Sequence, residues 1–172
     1  MSLPTTIALI GANATAKAVT AQYLSEAYGY KHLPLQAPVR LLVEKLLLAY
    51  GHDSESVNYH LCHAPNEPLS RLPGEPTTRY LLQTLASDWG RSIVHRDIWL
   101  CAWQHLASDY PGVVVDDACS TAAVNMLQKR PRSVVWALGA PEPECSVDAV
   151  LPEPWGDARN LRREIARLLE ED

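Results

Sequence analysis

The residues Gly11-Ala12-Asn13-Ala14-Thr15-Ala16-Lys17-Ala18 carry the types and much of the spacing of a phosphate-binding loop. Such a loop runs glycine, four residues, glycine, lysine, then serine or threonine. Its backbone N–H groups wrap phosphate oxygens, its lysine reaches the terminal phosphates, and its hydroxyl ligates magnesium. Gly11 and Lys17 stand at the required separation, with Asn13 and Thr15 between them. Ala16 holds the second glycine's place and Ala18 the hydroxyl's, so this Walker-A-like pattern is degenerate. Thr15 and Thr20 are the nearby hydroxyls that could stand in. An ordinary strand-to-helix turn with a solvated Lys17 is the competing reading.

Two other groups of residues have chemistry to offer. Asp116 and Asp117 close an apolar run, a position from which carboxylates can hold magnesium through water. An aspartate there can equally cap a following helix. His52, Asp53, His60, Cys62 and His63 contain ligand chemistry for zinc, but no second spaced pair closes a tetrahedron. Zinc is therefore disfavoured against an ordinary polar loop. Cys62, Cys101, Cys119 and Cys145 show no CxxC spacing and read as reduced thiols.

The elements that must position these groups follow from hydrophobic period. The continuous apolar run 6–10 predicts a buried parallel strand, and 112–117 and 133–138 read the same way. Helical spacing predicts helices over 17–28, closed by Gly29, and over 39–50, 77–90, 97–107, 121–129 and 157–169. Residues 30–35 suggest a second short strand. Residues 51–76, rich in proline and glycine, read as a long loop or lid. Alternating strands and helices predict an α/β fold with a parallel sheet and helices on both faces.

Arg79-Tyr80-Leu81-Leu82-Gln83 leads to Trp89-Gly90-Arg91 and then to Asp97-Ile98-Trp99. This segment resembles the deoxynucleoside monophosphate kinase family encoded by many tailed phages. That family has an arginine, leucine-leucine-glutamine, Trp-Gly-Arg and, a few residues on, Ile-Trp. The resemblance extends to Asp116-Asp117 and loosely to the last helix, and is least secure over 51–76. It implies one P-loop-kinase-like domain over 1–172, with a helical substrate arm near 76–108. It further implies a cytoplasmic nucleotide kinase, in the host cytoplasm if phage-encoded, that moves a phosphoryl group from ATP to a deoxynucleotide with magnesium. Lys17 would hold donor phosphates and Asp116 or Asp117 would organise magnesium. Arg79 and Arg91 would pair with the acceptor phosphate, and Gln83 would meet the base. Trp89 and Trp99 read as core packing.

The departures from that family are specific. Ala37 in Gln36-Ala37-Pro38 replaces an expected aspartate, and Cys119 and Ala123 stand where an arginine and a glutamate belong. With Ala16 and Ala18, five expected polar or glycine positions have become small residues. Three alternatives compete: a weakened kinase, a pseudokinase that senses nucleotide or binds protein, and a kinase acting on a modified base in DNA. Composition bounds them. A net charge of −5 over 172 residues argues against general nucleic-acid coating, although a basic groove stays open. No apolar run nears the roughly 20 residues of a membrane span, so a soluble, unexported protein is expected. A nucleotide is the expected partner, with a protein partner or homodimer left open.

Overall fold

The computed structural model describes residues 3–140, 145–151 and 158–171. In chain order come β1 (Thr6–Ile10), α1 (Ala14–Tyr28), β2 (Lys31–His32), α2 (Ala37–Ala49) and α3 (Ser54–Asn58). Then follow α4 (Thr78–Gln83), α5 (Ile98–Ala107), β3 (Val113–Val115), α6 (Thr121–Gln128), β4 (Ser133–Leu138), β5 (Ala149–Leu151) and α7 (Ala158–Glu171). The chain divides into two compact units, one of residues 1–35 with 107–172 and the other Gln36–Leu106.

The first unit is an α/β layer structure. Its five strands lie parallel in the order β2-β3-β1-β4-β5, with Thr6 of β1 beside Val113 of β3 and Ser133 of β4. β1 is central and every residue of it is buried. Alternate side chains point to opposite faces. Ile7 and Leu9 join Val114, Trp136 and Leu138 in a core with Leu24 of α1 and Leu161 and Ile165 of α7. α6 packs against β1 and β4 and buries Ala123, Val124 and Leu127. Helices thus cover the sheet, and each fully buried Leu or Ile stabilises it by about 1.5–3 kcal/mol.

The predicted bounds of β1 and β4 match the observed strands, because continuous apolar runs define both. The strand expected over 112–117 shortens to Val113–Val115, and that over 30–35 to two exposed residues. β5 went unpredicted; its three residues sit in a proline-rich context. The expected start of the last helix, Asp157, lies outside the described residues.

The second unit is helical. Val43 and Leu47 of α2 pack with Val57 of α3 and with Leu69 and Leu72. Leu42 and Tyr50, apolar positions of the helix expected over 39–50, are exposed. The 51–76 segment is not one irregular excursion: Asp53 caps α3, whose chain continues as a π-helical turn over Tyr59–His63. The helix expected to stop at Gly90 also continues, in π winding from Thr84 to Val94. Among the described residues no helix is long and apolar enough to cross a membrane.

Candidate functional site

At the carboxyl end of β1 the chain turns sharply through Gly11, whose φ is +124°. A Cβ there would run into the carbonyl oxygen of Leu138, at the end of β4. This is a true glycine position. The loop it opens is shorter than the motif predicts. Only Gly11–Asn13 are non-helical, and Ala14 to Lys17 already form the first turn of α1. Asn13 explains the early start: its Oδ1 accepts from the Ala16 N–H at 2.9 Å, and its carbonyl accepts from the Lys17 N–H at 3.1 Å. An N-cap of this kind satisfies one of the helix's orphan donors.

The alanines now have physical roles. Ala16 is buried in the core under the sheet, whereas Ala18 is exposed. Of the hydroxyls that could replace the missing one, Thr15 is exposed, but Thr20 is fully buried with its Oγ1 unpartnered. Thr20 is therefore turned inward and cannot serve a solvent-borne ligand.

Beyond β3, Asp116 accepts from His32 Nε2 at 2.8 Å, an ion pair when the imidazole is protonated. Asp117 Oδ1 accepts from the Leu35 N–H at 2.7 Å. Burial alone would raise the Asp116 pKa, but the hydrogen bond and charge of His32, with the nearby Lys17 ammonium, hold it below the usual carboxylate range. The Asp116 hydrogen bond raises His32 above the ordinary imidazole range, against a smaller opposing effect of burial. Lys17 and Asp116 thus lie near one another beyond the carboxyl ends of β1 and β3. His32 was missed, because its partner lies far along the chain and nothing local marks it.

A cleft of about 80 Å³ lies here, lined by Ile10, Gly11, Lys17, Cys119, Ser120 and Cys145 among others. Ligand pockets that enclose a drug-sized molecule run to about 300–1,000 Å³, so this one is small by comparison. The donor set gives magnesium little. The Ala18 side chain has no oxygen, and each aspartate already holds a hydrogen bond. Any magnesium held here would rest on water-mediated carboxylate contacts.

In the second unit Arg79 and Gln83 sit one turn apart on α4, and Arg91 lies in the π-helical segment; all three are exposed. Trp99 is buried and donates from Nε1 to the Ala86 carbonyl at 2.9 Å. Trp89, expected in the core, is 42% exposed, with its ring 5.9 Å from that of Trp99. Gly90 packs flush on the Trp99 indole, where a Cβ would clash with the ring. The Trp-Gly-Arg and Ile-Trp steps are therefore joined by packing. Of the zinc-type cluster, His52 is buried with Nδ1 2.9 Å from Ser56 Oγ, and Cys62 donates to Asn58 Oδ1 at 3.4 Å. Among the described residues no group of three or more His, Cys, Asp or Glu side chains is arranged to hold a metal ion.

Fold and site together define an α/β protein with a cation and a helix N-terminus at the carboxyl edge of its parallel sheet. Comparison with models of known protein families, with curated proteins and with solved structures returned no match.

Proposed function

We propose that the chain is a nucleotide-binding protein of the deoxynucleoside monophosphate kinase type, in which phosphoryl transfer from ATP is weak or lost. The carrying observation is the convergence of Gly11, Lys17 and Asp116 at the sheet edge where open α/β proteins hold ligands. On this reading Lys17 and the N-terminal N–H groups of α1 hold donor phosphates. Arg79, Gln83 and Arg91 supply the acceptor contacts.

The weakness follows from particular residues. Phosphoryl transfer depends on positioning and on neutralising charge spread over the transferred group. Cys119 carries no permanent cation, Ala18 gives magnesium no ligand, and Asn13 engages the Ala16 N–H that a phosphate would use. Losing one well-placed electrostatic group typically costs about 10²–10³ in rate, and such losses do not simply add. A second reading, a pseudokinase without turnover, is favoured by the engagement of Asp116 with His32.

A coupled ADP-release assay over the four deoxynucleoside monophosphates, run beside ATP calorimetry, tests both. ATP binding with turnover well below about 1 s⁻¹, the floor of the usual kinase range, is the expected result. Turnover inside that range, abolished by Lys17→Ala, overturns the claim of weakened transfer. Absence of ATP binding overturns the nucleotide reading altogether.

A further inference from the structure

Cys119 and Cys145 are free thiols that line the same small cleft as Gly11 and Lys17. They come from different segments, Cys119 just before α6 and Cys145 between β4 and β5. Cys119 immediately precedes Ser120, whose hydroxyl caps α6 by accepting from the Ala123 N–H at 3.3 Å. Cys145 precedes a stretch tied to the same helix and to β4. Gln128 Nε2 donates to the Ser146 carbonyl at 3.0 Å, and the Val135 N–H donates to Asp148 Oδ2 at 2.7 Å. Both cysteines therefore adjoin segments anchored on α6 or β4 and line one void of about 80 Å³. The remaining free cysteines differ. Cys62 and Cys101 belong to the helical unit, and neither lines this cleft.

We propose that Cys119 and Cys145 are a redox pair, which oxidised glutathione converts into an intramolecular disulfide that closes the cleft beside Gly11 and Lys17. One cysteine, as thiolate, attacks a glutathione sulfur, breaks its S–S bond and releases one reduced glutathione. The mixed disulfide so formed is attacked by the second cysteine after it loses its proton, and the second glutathione leaves. The protein gives up two electrons and two protons; the glutathione disulfide takes both. In a reducing compartment such a bond is a transient, sensing one. Its consequence for ligand binding rests on the phosphate-site reading above, whereas formation of the bond does not.

The intact protein is incubated with oxidised glutathione under native conditions, alkylated, digested and analysed by mass spectrometry. The expected product is a Cys119–Cys145 cross-link, with Cys62 and Cys101 still alkylated. Because a disulfide needs Cα atoms about 4.4–6.8 Å apart, the bond itself reports that the two segments approach within that range. Separate glutathione adducts on Cys119 and Cys145, a cross-link to Cys62 or Cys101, or unreacted thiols overturn the proposal. Sulfate and ATP binding are then measured on the reduced and oxidised forms. Binding at least about tenfold weaker after oxidation, restored by dithiothreitol and unresponsive to oxidant in C119S and in C145S, supports the gate. Undiminished binding to the cross-linked form overturns the gate. A cross-link in a protein that binds neither anion when reduced leaves the redox pair standing, overturns the gate and refutes the phosphate site.

Discussion

Gly11 combines two demands, a left-handed backbone and contact with the Leu138 carbonyl, that no other residue satisfies together. Gly11→Ala should therefore destabilise the fold by about 1–3 kcal/mol, the usual range for a strained backbone position. Urea denaturation measures this, and a change below about 0.5 kcal/mol would place the turn elsewhere. His32 and Asp116 make an opposite kind of claim, one about pH. The raised pKa of His32 means that its charged pairing is fully present below about pH 6.5 and is lost as pH rises through that raised value. The depressed pKa of Asp116 means that its contribution holds above the ordinary carboxylate pKa and is lost as pH falls through the lowered one. Because the His32 side chain is 42% exposed, solvent screening keeps the pair within about 0–1 kcal/mol. Thermal melts should show Asp116→Asn losing more stability at pH 6 than at pH 8.5, and equal losses would dissolve the pair. His52 behaves in the reverse sense. Burial, helped by Arg71 and His60, lowers its pKa, so stability falls as pH drops below about 6.5. Hydrogen exchange at Val43, Leu47 and Val57, corrected for intrinsic rates, should show easier opening at pH 5.5 than at 7.5. No change between those conditions would mean that His52 is hydrated.

The π-helical segment Thr84–Val94 is the least ordinary element, and Gly90 within it accepts the Trp99 ring at close range. Gly90→Ala should push that ring out and break its bond to the Ala86 carbonyl, at about 1–3 kcal/mol for an overpacked contact. A red shift in tryptophan emission accompanies the expected loss, and an unchanged spectrum with unchanged stability would show that the contact is slack. π winding left no mark in the sequence, because its apolar positions fit an ordinary helix nearly as well. The start of α1 was missed for a different reason. Reading Gly11 to Lys17 as one phosphate loop hid the asparagine that caps the helix three residues after Ile10. Asp53 was likewise a readable cap for α3, hidden by Gly51 before it and by the prolines from Pro65 onward that made 51–76 read as one loop. Gly29, by contrast, ends α1 where its sequence position demands, with φ +73° and its N–H donating to the Leu24 and Ser25 carbonyls.

For the whole molecule, the parallel sheet was legible because both faces of its strands are covered, which forces continuous apolar runs such as Ile7 to Ile10 and Val134 to Leu138. The order of the strands was not legible, since register between distant segments is written in packing rather than in local pattern. The same limit governed the site. Gly11 and Lys17 announce themselves by spacing, and Asp116 by closing a strand, whereas His32, Cys119 and Cys145 acquire meaning only from where the fold brings them. On the function proposed, the Gly11–Lys17 turn grips nucleotide phosphates through a lysine and a helix N-terminus, with magnesium secondary. Titration of ATP into the ¹⁵N-labelled intact protein, with and without magnesium, tests it most directly. Amide shifts should concentrate at residues 11–17 and 118–120 under both conditions, with affinity falling about tenfold or more in Lys17→Ala, as expected for loss of a charge-assisted contact. Shifts confined to other regions, or an affinity indifferent to Lys17→Ala, would contradict it.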